Sequence, residues 1–167
     1  MKRISFFILF IALSIVSSLT VAGQKSDFSG SWKLDRTKTQ YTSDFPLLVM
    51  LTVNLKGDSL FTERFYDIGD GQEYPFIENV TLNGKEYNIY VYDMDRKSKA
   101  SWLEKEGSLL FESVTTAYGY NGAEDFKSKE IWKLDKTNNI LTISYVNNTT
   151  AGETTGDLIF NKTDGAK

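Results

Sequence analysis

Short segments of alternating apolar and polar residues, broken at close intervals by turn-forming residues, constrain this chain more than any other feature. After the first 22 residues no stretch carries a helical period, and the segments read as antiparallel strands. Asn83-Gly84 suits a two-residue type I′ turn, which needs φ > 0 at both central positions. That turn sets Leu82 against Lys85, Val80 against Tyr87, Glu78 against Ile89 and Phe76 against Val91. One face then carries Phe76, Val80, Leu82, Tyr87, Ile89 and Val91. The other carries Asn79, Thr81, Glu86 and Asn88 with Ile77, Tyr90 and Tyr92. The first is the inner face.

Glu106-Gly107 predicts a second tight hairpin, with Trp102 opposite Phe111, Ala100 opposite Ser113 and Glu104 opposite Leu109. Lys56-Gly57-Asp58 reads as a three-residue loop, placing Val53 against Phe61, Leu51 against Glu63 and Val49 against Phe65. A two-residue loop would face Leu51 toward Arg64 or Thr62, which buries worse. Residues 130–134 and 141–146 flank a longer turn, with Trp132, Leu134, Leu141, Ile143 and Tyr145 on one face. The final strand spans residues 157–161, anchored inward by Phe160. Residues 36–46 and 116–127 lack the pattern and read as loops over the barrel ends.

Counted together these are about ten strands with short connections, an all-β chain that closes most simply as an antiparallel up-and-down barrel of about 8–10 strands. A β-sandwich is compatible with the same alternation. A lipid-facing barrel is not favoured, because Lys99, Glu112, Asn79 and Asn88 fall on outer faces and the chain ends without a terminal aromatic.

The segment Asp27-Phe28-Ser29-Gly30-Ser31-Trp32-Lys33-Leu34-Asp35 opens this array, with Phe28, Trp32 and Leu34 on one face. Gly30 lets a backbone or ring lie close, and Phe28, Gly30 and Trp32 form a plug for one barrel end. Trp132-Lys133-Leu134-Asp135-Lys136 nearly repeats it. The flanks do not match, so the repeat reflects two strand ends with similar needs rather than a duplication.

Ahead of the plug, Lys2-Arg3, an apolar run over residues 4–16 and small residues through Gly23 have the layout of a signal peptide. Cleavage falls after Ala22, with Gly23 as the alternative, leaving residues 23–167 as a single barrel domain. No Cys follows the cut, so no lipid attachment is expected. The mature chain is exported to the periplasm or exterior and is not an integral membrane protein. Loss of Lys2 and Arg3 takes the formal charge from −3 to −5. No run of Lys or Arg is left in sequence, so no nucleic-acid partner is expected.

The chain has no Cys and no His. Disulfides, thiolate nucleophiles, His-based triads and the usual zinc ligands are therefore excluded. No cofactor or metal is expected, and the chain reads as non-enzymatic. Eleven Phe, nine Tyr and three Trp supply walls for a core or a ligand site instead.

Phe28-Ser29-Gly30-Ser31-Trp32-Lys33-Leu34-Asp35, the Asn83-Gly84-Lys85-Glu86 turn, Ala100-Ser101-Trp102 and Glu130-Ile131-Trp132-Lys133-Leu134, behind a leader, resemble the secreted bacterial lipocalin-like domain proteins of the calycin group. The resemblance spans most of the mature chain through short motifs. It implies a Gly-x-Trp tryptophan packed over the closed end beneath a basic residue near the last strand, where Lys162 stands. It also implies binding of a small apolar molecule. The residues that would line the ligand site are Phe61, Glu63, Phe65, Phe76, Glu78, Tyr87, Ile89, Trp102 and Phe111. Glu63 or Glu78 would meet the polar end of the ligand, or act as an acid or base. A filled core serving a protein-interaction module is the alternative.

Overall fold

A computed structural model describes residues 25–40, 46–103, 107–120 and 122–163; the leader and its cleavage site lie outside them. The described chain is all β: β1 (Gly30–Leu34), β2 (Leu47–Lys56), β3 (Ser59–Asp67), β4 (Glu73–Thr81), β5 (Tyr87–Val91), β6 (Met94–Leu103), β7 (Ser108–Gly119), β8 (Gly122–Asp135), β9 (Ile140–Thr149) and β10 (Gly152–Thr163). They form one antiparallel sheet in the order β4-β3-β2-β1-β10-β9-β8-β7-β6-β5, in which β1 meets β10. The sheet curls into a nearly closed up-and-down barrel.

The seam lies between β4 and β6. No continuous ladder closes it. An isolated bridge joins Asn83 to Ser101, and the Gly84 N–H donates to the Ala100 carbonyl at 2.9 Å. This corrects the Asn83-Gly84 hairpin. Asn83 Oδ1 instead accepts the Lys85 N–H at 3.0 Å and bends the chain toward β6. The tight turn sits at Tyr92-Asp93, with φ of 50° and 59°, and pairs β5 with β6. The expected inner face survives this change of partner: Phe76, Val80 and Leu82 are buried and Tyr87 packs on the core.

Two registers also differ. Lys56 pairs with Ser59, so the loop is the two residues Gly57-Asp58, with φ of +58° at Gly57. A turn with a left-handed first residue matches the strand twist. Val53 then opposes Thr62, and Leu51 opposes Arg64. Phe61, Glu63 and Phe65 consequently face outward, and Thr62 and Arg64 face the interior. In the β6–β7 hairpin Trp102 opposes Leu109 and Ala100 opposes Phe111, two residues from the expected register. A two-residue slip preserves the faces, and Ala100 leaves room for the Phe111 ring. Glu104 lies outside the described residues.

Residues 116–119 and 122–127 are not a loop but the outer halves of β7 and β8, paired to Gly119↔Gly122. Both faces of this hairpin extension are largely polar or exposed, which hides the period-2 signal.

Trp32 is 1% exposed, Phe28 is fully buried, and Trp32 Nε1 donates to the Phe28 carbonyl at 2.9 Å. Lys162 Nζ stands 5.3 Å from the Trp32 ring centre. Gly30 has φ of +138°, which strains any other residue, and a Cβ there would lie 2.7 Å from Lys162 Cε and push the lysine stem aside.

Candidate functional site: the layered barrel interior

Because side chains alternate along every strand, the ladder registers stack the inward residues in layers. Nearest the plug, Leu134, Leu141, Phe160 and Leu34 are in register. Above them lie Trp102, Leu109, Trp132, Ile143 and Leu158. The third layer is Ala100, Phe111, Glu130, Tyr145 and Gly156, and it is the first to carry a charge. The fourth is polar throughout: Tyr87, Ser98, Ser113, Ser128, Asn147 and Thr154, contributed in turn by β5 to β10. Beyond it Ile89, Arg96, Thr115 and Phe126 align. Phe126 is 39% exposed, so this end is not sealed.

The apolar layers are an aromatic stack. Phe28 lies 6.0 Å from Trp102 and 6.1 Å from Trp132, and Phe111 lies 6.2 Å from Trp132. Trp102 was expected to line a cavity far from Phe28. The two rings are in contact, because the observed register sets Trp102 beside the plug.

Two ion pairs join the barrel walls above this stack. Arg64 on β3 donates from Nη1 and Nη2 to Glu130 Oε1 and Oε2 on β8, at 2.7 and 3.0 Å, and Trp132 Nε1 donates to Oε2 at 2.8 Å. The Arg64 guanidinium also stacks 4.7 Å from the Phe111 ring centre. Burial alone would raise the Glu130 pKa. The Arg64 charge and the Arg64 and Trp132 hydrogen bonds override it and hold the carboxyl below its ordinary 4.5. Burial would likewise lower the Arg64 pKa, and the Glu130 charge raises it instead. Across the seam, Arg96 on β6 donates from Nε and Nη2 to Glu78 on β4, at 2.9 and 3.1 Å, and Ser98 Oγ donates to the same carboxylate. Arg96 Nη1 donates to Thr115 Oγ1 at 2.9 Å.

Of the sequence-predicted site residues, Phe76, Glu78, Tyr87, Ile89, Trp102 and Phe111 share the interior. Phe61 and Glu63 do not, and Phe65, on the same strand face, is partly buried against the edge of the core. Arg64, Arg96, Glu130 and the three serines were missed. Arg64 and Glu130 are 66 residues apart, and neither strand announces the other. The serines did leave a signal: Ser98, Ser113 and Ser128 each sit at an inward position of an alternating run.

Thr62 Oγ1 and Arg64 Nε are buried and have no hydrogen-bond partner among the described residues, as is also true of Trp102 Nε1. Gly156 lets Tyr145 lie close: a Cβ there would meet Tyr145 Oη at 2.7 Å. Among the described residues no three acidic side chains are grouped to hold a metal ion. Neither the protein-family models nor the curated proteins contain a match to this chain. The architecture is compatible with a calycin-like fold.

Proposed function

We propose that the chain is an exported, non-catalytic binding protein whose barrel takes one small ligand at the end away from Trp32. The ligand has an apolar face and several hydroxyl groups. The observation that carries this reading is the six-residue polar layer from Tyr87 to Thr154, lying directly above the rings of Phe111 and Tyr145. Ser98 already donates to Glu78 and Tyr87 Oη bonds Thr81 Oγ1, but a ligand apolar throughout would leave Ser113, Ser128, Asn147 and Thr154 facing it unpaired, at a cost of about 1–3 kcal/mol each. A hydroxyl-bearing ring would meet them and stack on the aromatic floor. The unmet Arg64 Nε and Thr62 Oγ1 favour the same polarity.

The non-catalytic reading draws on the two inward glutamates. Both direct their oxygens at arginines, so neither presents a carboxylate to a substrate. The signal-peptide layout supports export. Lys162 over Trp32 is the pairing that the lipocalin-like resemblance implied, and it supports a bacterial protein of that kind.

Titration of tryptophan fluorescence tests the ligand class, since Trp132 touches the charged floor. Saturable quenching is expected with a sugar or polyol series, weakened by Ser113→Val/Ser128→Val. Saturable binding of a fatty acid or apolar dye that ignores this double variant would overturn the polar assignment.

A second reading has its own support. Ile77, Tyr90, Tyr92 and Tyr118 are each more than half exposed, and Tyr92 Oη donates to the Pro75 carbonyl across the seam. An aromatic surface of this kind suits a protein-interaction module. Loss of a pulled-down partner on Tyr90→Ser/Tyr118→Ser, with lumen binding unchanged, would favour it.

A further inference from the structure

The outer face of β6–β9 carries a feature that the linear sequence disperses. Lys97, Lys99, Lys127 and Lys129 all point outward, and two strands bring them together. In one cross-strand row Val114 lies between Lys97 and Lys127. In the next, Glu112 lies between Lys99 and Lys129. The four surround an open groove of about 270 Å³. Lys99 pairs with Glu112 at 3.1 Å. Among the described residues Lys97, Lys127 and Lys129 have no carboxylate partner within ion-pair distance. With Glu86 at the edge, the groove carries four positive and two negative groups on a chain whose overall charge is negative.

We propose that this groove binds an acidic polysaccharide through its carboxylate or sulfate groups. Strand spacing sets Lys97 and Lys127 roughly 10 Å apart, and residues i and i+2 on one strand about 7 Å apart. Such a rectangle of cations fits an extended chain carrying a charge on successive sugar units. Lysine presents a point charge on a flexible stem, without the rigid fork by which arginine grips a phosphate. That favours spaced monoanionic groups over a phosphate ester. Val114 and Val146 offer an apolar floor for the C–H face of a sugar ring. No aromatic residue lines the groove among the described residues, so the stacking platform that single-stranded nucleic acid uses is lacking. The groove is partly open to solvent, as docking of a polymer requires, whereas a small-molecule site encloses most of its ligand.

Titration of the full mature chain with polygalacturonate and a sulfated glycan, against neutral dextran and single-stranded DNA, tests this. Wild type should bind both acidic glycans and not dextran, with affinity falling as salt rises. Lys97→Glu/Lys127→Glu should weaken binding roughly tenfold or more and lower the salt slope by about 2. The exposed positions keep this variant folded, which its circular dichroism checks. Lys136→Glu, outside the groove, should leave binding unchanged. Absence of acidic-glycan binding at low salt would overturn the proposal. So would equal losses in the Lys136 control, or tighter binding of DNA than of either glycan.

Discussion

The two Trp-Lys-Leu-Asp segments share a local structure and part ways in everything they touch. In both, the tryptophan and leucine face the interior and the aspartate caps the turn that follows. Asp35 Oδ1 accepts the Thr37 N–H at 3.0 Å, and Asp135 Oδ1 accepts the Thr137 N–H at 2.9 Å. Yet Trp32 donates to a backbone carbonyl and lies beneath Lys162, whereas Trp132 donates to Glu130 and lies beside Arg64. The residue two positions earlier separates them. Gly30 clears space for a lysine stem; Glu130 supplies a carboxylate for an arginine. One copy plugs the barrel end, and the other ties its two walls together.

The largest expected effect comes from removing each ring. Trp132→Ala should cost about 5 kcal/mol, the top of the range for a deleted buried aromatic, because Glu130 also loses a donor. Trp32→Ala should cost about 3 kcal/mol, since water at the barrel end can meet the freed Phe28 carbonyl. Urea denaturation compares the two, and equal losses would erase the distinction.

The cations should differ next. Arg64→Met strands the Glu130 carboxylate and should cost about 3 kcal/mol, with Arg64→Met/Glu130→Leu recovering most of it. Lys162→Met removes a cation over a ring and should cost less than about 1 kcal/mol.

Gly30→Ala should lose about 1–2 kcal/mol from backbone strain, with a further shift of Lys162. Trp32 fluorescence would report the displaced stem, and an unchanged spectrum would count against the close approach.

Acid gives the smallest and most gradual contrast. The Glu130 pKa is lowered on folding, so its contribution is fully present above the unfolded value of 4.5 and is lost as pH falls through the lower folded value. Glu130→Gln should flatten the stability curve between those two values. The Asp35 and Asp135 pKa values are lowered too, chiefly by side-chain hydrogen bonds from Thr37 and Asn138 respectively, so Asp→Asn at either turn should flatten the curve less, and only below the ordinary aspartate value of 3.8.

Much of the fold was legible. The plug, the inner faces and the all-β class came from period-2 alternation and a Gly-x-Trp opening, both local properties. Phe76, Val80 and Tyr87 were placed on the correct face even though their hairpin was wrong, because alternation assigns a face without naming a partner. Registers were less legible. The Lys56–Ser59 turn was misjudged by weighing apolar burial alone, which made Arg64 look like an outward residue. A third of the candidate ligand site followed that error, since Phe61, Glu63 and Phe65 reverse faces with a one-residue slip.

Taken alone, the sequence determined most of the strands (the outer halves of β7 and β8 excepted), the turns at both Trp-Lys-Leu-Asp copies, the lack of histidine and thiol chemistry, and the residues that could plug a barrel. These depend on steric preferences and on neighbours two to four residues apart. Only the tertiary structure decided that Arg64 meets Glu130, that Glu78 and Arg96 span the seam, and that Ser98, Ser113 and Ser128 form one polar layer. It also decided that four dispersed lysines share a groove. A buried charge is tolerated only beside an opposite one, and for Arg64 that partner stands 66 residues away on another wall of the barrel.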